Sequence, residues 1–395
     1  MSTPFLTSAM ASDHAWIDEA DCSLDDFRAA VLRPTDLADY PHAHNVRSGV
    51  LVYSAASMAA LDDGASRRAL QAELIRAFTD GPGVVVIEGA FADDVVDAAS
   101  AAFNDLIAAQ RAAGGAAGDH FGKPGANDRI WNAAQKLALH APEVFADYYT
   151  NDSLAVVSQA WLGPVYQVTS QVNVVNPDGA AQVPHRDYHL GFVNEDQLHA
   201  YPAHLHRMSA VLTLQGAVAH CDMPIESGPT MLLPNSQRFA AGYIAFYRPE
   251  FIEFFAEHHV QTPLSKGDAV FFNPALYHGA GTNKSTDIKR MANLLQISSP
   301  FGRAMESLDR GAMVRAVYPS LLSMKAAGRS PEELRNAVVA TAEGYPFPTN
   351  LDRDQPIGSL APASQVDTVL AALDRNHTPQ QLDAALRGQD ERRLP

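Results

Sequence analysis

Residues 165–192 read VYQVTSQVNVVNPDGAAQVPHRDYHLGF, and the fold turns on this stretch. Val165–Val175 alternates apolar and polar residues, the period of a half-buried strand. Asn176-Pro177-Asp178-Gly179 is a turn signal. VPHRDYHLGF, residues 183–192, then reads as a second strand. Further downstream MSAVLTLQGAVA (208–219), PTMLLP (229–234), VQTPL (260–264), DAVFF (268–272) and RMANLLQIS (290–298) continue the series. Turn residues separate them at 226–229 and 266–268, and one helical insert covers about 239–257. Many short strands with Gly/Pro turns predict a sandwich or a jelly roll.

Upstream, residues 66–79 place Leu70, Leu74, Ile75 and Phe78 on one helical face. Gly81-Pro82-Gly83 stops that helix, and VVVIEGAF (84–91) reads as a buried strand. Asp93 is positioned to cap the next helix, which runs to the Gly114-Gly115 break. Downstream, helices are predicted over 331–342, 366–373 and 379–386, with an extended Pro/Asp/Gly-rich stretch at 344–362. The resulting division is an N-terminal extension (1–64), a core (65–305) and a helical tail (306–395) in the same globule.

The chain has 395 residues, 47% of them apolar, enough for a full core without staples. Its net charge of −16 disfavours nucleic acid and anionic membranes, both of which need clustered Lys/Arg. Cys22 and Cys221 form no disulfide framework, which fits a reducing compartment. MSTPFLTSAM lacks the basic and apolar regions of a leader, and no run is long enough to span a membrane. The expectation is a cytoplasmic protein acting on a small molecule, with no nucleic acid or membrane partner. Residues 1–64 and 306–395 could cover a site or make a homodimer contact.

Side chains at i and i+2 of a strand share a face. His185 and Asp187 therefore present an imidazole and a carboxylate together, while Arg186 points away. By itself H-x-D is a weak signal, better read as ordinary structure. His278, in ALYHGAGTN beside Gly279, Ala280 and Gly281, is the best third ligand. Two His and one carboxylate with open positions is the non-haem Fe(II) oxygenase arrangement. Arg290 opens an apolar strand, where its burial needs a carboxylate partner. 2-Oxoglutarate would supply one; a strand-end salt bridge to Asp or Glu is the structural alternative.

These pieces are similar to the phytanoyl-CoA dioxygenase family of Fe(II)/2-oxoglutarate-dependent oxygenases. The matching blocks are FTDGPGVVVIEGAF (78–91), QVPHRDYHLGF (182–192), ESGPTMLLPNSQRF (226–239) and GDAVFFNPALYHGAGTNKSTDIKR (267–290). The resemblance implies an α+β protein with a double-stranded β-helix (jelly roll, cupin-like) core flanked by N- and C-terminal helices. It implies Fe(II) on His185, Asp187 and His278, 2-oxoglutarate on Arg290, and O2 as co-substrate. The implied reaction oxidises an unactivated C–H bond of a small organic metabolite, by hydroxylation or otherwise, and releases succinate and CO2. Asp187 stands where halogenating relatives have Ala or Gly, which favours oxygen transfer or desaturation.

The chain departs from the family at two places. Gln237 stands where many members have His, and Ala280 where a hydroxyl residue often follows the distal H-G. Another donor must then help hold the co-substrate: Gln171 and Asn173, which share a strand face, or Thr230. His189 (i+2 from Asp187), Tyr188 and His204 are candidates for substrate contact, although Tyr188 and Phe192 also read as core, like Trp131 and Trp161. The segment NEDQLHAYPAHLHR (194–207) reads as a loop at the mouth of the site. The competing readings are a Zn-dependent hydrolase on a jelly roll, which gives Arg290 no task, and a non-catalytic jelly-roll binding protein.

Overall fold

The computed structural model describes residues 15–114 and 126–395. The leader reading of residues 1–10 and the Gly115 half of the 114–115 break lie outside the described residues.

The strands, in chain order, are β1 (Asn45–Arg47), β2 (Val50–Ser54), β3 (Val84–Glu88), β4 (Asn127–Ile130), β5 (Gln167–Val175) and β6 (Thr213–Ala219). They continue with β7 (Met231–Leu233), β8 (Val260–Gln261), β9 (Ala269–Phe272), β10 (Tyr277–Gly279) and β11 (Arg290–Ser298). Eight form one sheet in the order β1-β2-β3-β9-β6-β11-β5-β4, and three form a second in the order β10-β7-β8. Every pair is antiparallel except β2–β3, where helices Ala55–Ala59 and Gly64–Thr79 make the crossover. Large and small sheets with helices outside make the jelly-roll, α+β architecture.

Alternation assigns each sheet residue to a face. On the outer face Tyr53, Val85, Ile87, Phe271, Leu295 and Ile297 meet helices from both ends of the chain. Leu74, Phe78, Phe103 and Leu137 come from the N-terminal side, Val317, Leu334, Val338 and Leu373 from the C-terminal side. On the inner face Val50, Val52, Val84, Val86, Val270 and Phe272 pack against Leu232 of the small sheet and Leu276 beside it. The small sheet's own outer side is covered by Phe27, Phe239, Phe251 and Phe254 around Tyr277.

The inner face changes character toward β4. Gln215 is opposite Phe272 and Gln296, Gln171 is opposite Leu294, and Asn173 lies between Ala292 and Arg129. One half of the barrel interior is therefore apolar, and in the other half amides and an arginine are interspersed with Ala217, Ala292 and Leu294.

Four local expectations need correction. Residues 183–192 are not a regular strand: only His185 makes a ladder pair, and Tyr188 and His189 have φ of 61° and 46°. These positive angles turn the chain into the short 3₁₀ helix His189–Phe192. Residues 208–211 belong to a helix, Ala203–Val211, and only Thr213–Ala219 of that run is strand. The predicted 194–207 loop is largely the helices Glu195–Leu198 and Ala203–Val211. Asp93 is the first helical residue; the cap is Ala92, which makes no side-chain cap.

The tail helices Pro331–Thr341, Gln365–Asp374 and Pro379–Arg393 each begin with a capping box, on Ser330, Ser364 and Thr378. No helix among the described residues is long and apolar enough to cross a membrane.

His220, just beyond β6, ties the helices to the sheet. Its Nδ1 lies 2.8 Å from Ser100 Oγ and its Nε2 3.0 Å from Tyr148 OH, which Asn293 reaches at 3.3 Å. Burial pushes its pKa down to about 3. The folded protein thus holds it neutral while the unfolded chain protonates it below its ordinary value, about 6.5. Its contribution is complete above that value and is lost as pH falls toward 3. His220→Gln should cost about 1–3 kcal/mol near neutrality through its unmatched partners. It should also flatten the decline in stability on acidification, as read by urea unfolding from pH 7 to 4.

Candidate active site

The site is assembled by one short antiparallel contact. His185 N donates to His278 O at 3.0 Å, and His278 N returns a bond to His185 O at 3.2 Å. Gln182 N–Ala280 O (2.9 Å) and Asp187 N–Pro274 O (3.0 Å) extend the pairing on either side. The H-x-D segment is laid along β10 as an extra edge, so His185 and His278 face the same way, with ring centroids 4.5 Å apart. Asp187 sits below both. Its Oδ1 is 3.7 Å from His185 Nε2 and its Oδ2 is 3.4 Å from His278 Nε2. One ligand atom from each residue lies within 4.8 Å of the others, a group that could hold a metal ion.

The geometry fits a divalent metal in its details as well. His185 Nδ1 is 2.9 Å from Val183 O and His278 Nδ1 is 2.8 Å from Leu276 O, each a carbonyl two residues back. These bonds place the proton on Nδ1 and leave Nε2 as the lone-pair donor toward Asp187. Burial, with His278 close by, lowers the His185 pKa. Burial alone would raise Asp187; its contacts with His278, His185 and Gln215 outweigh it and hold the carboxyl at about 2. Gln215 Nε2 donates to Asp187 Oδ2 and lies 3.4 Å from His278 Nε2, while its Oε1 is buried with no partner among the described residues. Sequence reading missed Gln215; an amide inside the apolar run TLQGAVA was the available signal.

Arg186 projects to the opposite side, as alternation predicts, and is 2% exposed. Its Nη2 donates to Ser236 O (2.7 Å) and Phe239 O (2.9 Å), and its Cζ lies 5.0 and 5.2 Å from the Tyr243 and Tyr277 ring centroids. The residue between two candidate ligands is thereby bolted to the loop after β7. The fit requires glycine at 242, because a Cβ there would stand 1.9 Å from Arg186 Cζ.

Arg290 starts β11 with its side chain on the inner face, 7% exposed. Its Nη1 donates to Ser227 O (2.9 Å) and Gly281 O (3.3 Å). Among the described residues no carboxylate pairs with it, so the salt-bridge alternative is not what the structure shows. Burial pushes its pKa down to about 10, and the guanidinium stays charged at neutral pH. Thr230 lies one residue past the Met231–Gly279 rung, beside Ala280, in the loop whose carbonyls hold Arg290.

Gln171 and Asn173 do share the inner face, but both are engaged away from Arg290. Gln171 accepts from Arg129 and donates to Gln296 Oε1 (3.3 Å); Asn173 Oδ1 accepts from Asn127 (3.1 Å). Tyr188 is 3% exposed and its hydroxyl is buried without a partner among the described residues. His189 does not follow Asp187 by strand alternation, because the positive φ at Tyr188 ends the extended run. His204 lies on an exposed helix face, whereas His206 is buried against Leu198 O at 3.3 Å. Phe192 is 57% exposed and is not core; Trp161 packs on Phe78 and donates to Thr213 O.

A jelly roll carrying two histidines and an aspartate on one inward face defines the class of non-haem iron oxygenases. The phytanoyl-CoA dioxygenase (PhyH) family model matches residues 79–291, more than half of the chain, and the protein belongs to this family. It is an oxidoreductase of the Fe(II)- and 2-oxoglutarate-dependent kind, with O2 as the other co-substrate.

Among solved structures, the non-heme alpha ketoglutarate dependent carbocyclase SnoK from nogalamycin biosynthesis is 20% identical. It covers 63% of this chain and 92% of its own, with a TM-score of 0.46. AviO1 from Streptomyces viridochromogenes Tue57 is 19% identical, covering 59% and 97%, with a TM-score of 0.43. The epimerase SnoN from nogalamycin biosynthesis is 21% identical, covering 60% and 82%, with a TM-score of 0.40. No curated protein matches the sequence.

The Arg186 bolt makes a direct prediction. Gly242→Ala should displace the guanidinium, lower the thermal midpoint by several degrees and weaken Mn(II) binding about tenfold or more. Thermal unfolding and a Mn(II) titration followed by electron paramagnetic resonance would measure both.

Proposed function

We propose that the protein oxidises a C–H bond of a small organic molecule, with His185, Asp187 and His278 holding Fe(II) and Arg290 holding the far carboxylate of 2-oxoglutarate. The observation that carries this reading is Arg290: a buried cation, aimed into the barrel and steadied only by backbone carbonyls in the described structure. Such a group costs several kcal/mol to bury unless an anion meets it. The guanidinium fork matches a carboxylate with two parallel bonds. A zinc hydrolase would leave this cation unmatched.

When bound, iron and 2-oxoglutarate supply O2 activation, with release of succinate and CO2 and oxidation of the substrate C–H bond. The chain's own residues do the rest. The carbonyls of Val183 and Leu276 fix the two imidazoles, Gln215 fixes the carboxylate, and Arg186 fixes the strand that carries both H-x-D ligands. Thr230 takes the place of the hydroxyl that Ala280 lacks, beside the anion that Arg290 attracts. Asp187 fills the carboxylate position, so the reading is oxygen transfer or desaturation.

Arg290→Ala should weaken 2-oxoglutarate binding to the Mn(II)-loaded protein by about 100-fold, as expected for removing one partner of a buried charge pair. Thr230→Val should weaken it roughly three- to tenfold, the scale of one hydrogen bond. Calorimetric titration measures both, and unchanged affinity in Arg290→Ala would sink the proposal.

A further inference from the structure

The polar half of the inner face has a pattern of its own, separate from the triad and from Arg290. Reading across the sheet from Asp187, Gln215 on β6 is followed by Gln296 on β11, Gln171 on β5 and Arg129 on β4. Gln171 and Gln296 are 0% and 7% exposed. Glu306, in the segment after β11, closes the row: its Oε1 accepts from Asn132 N at 2.7 Å, just beyond β4. Trp131 carries the Arg129 guanidinium over its ring at 4.7 Å. Next to Asp187, Tyr188 is held at φ 61°, a strained angle for a tyrosine, and Gly191 brings the chain back against Arg186 O.

A finished polar network leaves no donor or acceptor over, since each one wasted costs stability. This network is unfinished at three points. Tyr188 OH, Glu306 Oε2 and Gln215 Oε1 are all buried and have no hydrogen-bond partner among the described residues. Gln215 bonds Asp187, Tyr188 follows Asp187 in the chain, and Glu306 is tied to Asn132 just beyond β4.

We infer that this row is the substrate subsite and that it takes an uncharged, polyhydroxylated small molecule, such as a glycoside, rather than a fatty acyl thioester. The inference rests on the oxygenase reading above and names the substrate class for that site. Amides, a tyrosine and a carboxylate offer donors and acceptors in mixture, which is what a set of hydroxyl groups needs. Arg129 and Glu306 bring one group of each sign to the row, so its formal charge gives an anion no advantage. An alkyl chain laid against Gln215 Oε1, Tyr188 OH and Glu306 Oε2 would leave all three without a partner. Sites built to hydrogen-bond a hydroxyl discriminate strongly against analogues that lack it.

The test uses the full chain loaded with Mn(II) and 2-oxoglutarate, which binds without turnover. The probes are the p-nitrophenyl glycosides of glucose, galactose, mannose and rhamnose, with palmitoyl-CoA as the opposing class. Binding is read by saturation-transfer NMR and calorimetry, and 2-oxoglutarate affinity is measured on each sample. At least one glycoside should bind in preference to palmitoyl-CoA. Tyr188→Phe and Glu306→Gln should each weaken that glycoside roughly tenfold, with 2-oxoglutarate affinity unchanged. Preferred binding of palmitoyl-CoA, binding of neither class, or glycoside affinity indifferent to both substitutions would overturn the subsite while leaving the oxygenase reading intact. Failure of 2-oxoglutarate itself to bind would instead remove the reading on which the subsite rests.

Discussion

The two hydrogen bonds between His185 and His278 are the contact on which the site depends. They join two segments far apart in sequence and bring both imidazoles onto one side of the small sheet's edge. Loop closure over such a separation costs entropy, so a single rung could not hold the segment unaided. Flanking bonds at Gln182 and Asp187 and the buried Arg186, fixed to Ser236 and Phe239 between two tyrosine rings, supply the remainder. Metal chemistry needs ligands placed to within a few tenths of an ångström, and the support around them provides that placement.

The barrel interior serves two purposes in its two halves. Under β2, β3 and β9 the valines and Phe272 pack against Leu232 and Leu276, giving the sheets a reason to stay closed. Under β6, β11, β5 and β4 the inner positions mix Ala217, Ala292 and Leu294 with Gln215, Gln296, Gln171 and Arg129, polar groups that weaken a core but can grip a ligand. The triad stands near the boundary, with His278 4.8 Å from the Phe272 ring and Asp187 bonded to Gln215. Arg290 enters the same interior from the start of β11. In the proposed reading, iron, co-substrate and substrate draw on three neighbouring patches of one surface.

Much of this was legible in the sequence, for identifiable reasons. His185 and Asp187 share a face in any extended backbone, so reading a strand where there is only one rung did no harm to their pairing. Arg290 stood out because a cation in an apolar run contradicts its surroundings. The error at residues 188–192 came from extending the strand through Tyr188, whose positive φ is imposed by tertiary packing and has no local sequence signature. Residues 208–211 are apolar enough for either state, and short apolar runs do not distinguish helix from strand. Gln215 and Gln296 were visible as amides within apolar runs, though their alignment across β6 and β11 depends on register. Arg129 and Glu306 were not visible at all, since nothing in NDRIW or in AMESL shows that these segments meet.

The most direct test of the account is an anaerobic titration of the protein with Fe(II) and then 2-oxoglutarate, following the visible absorption of the keto acid chelated to iron. The account predicts that the band develops in the wild type, is lost in Asp187→Ala, and in Arg290→Ala appears only at much higher 2-oxoglutarate. A protein that binds neither together, or that gives the same band with Asp187 removed, would contradict it.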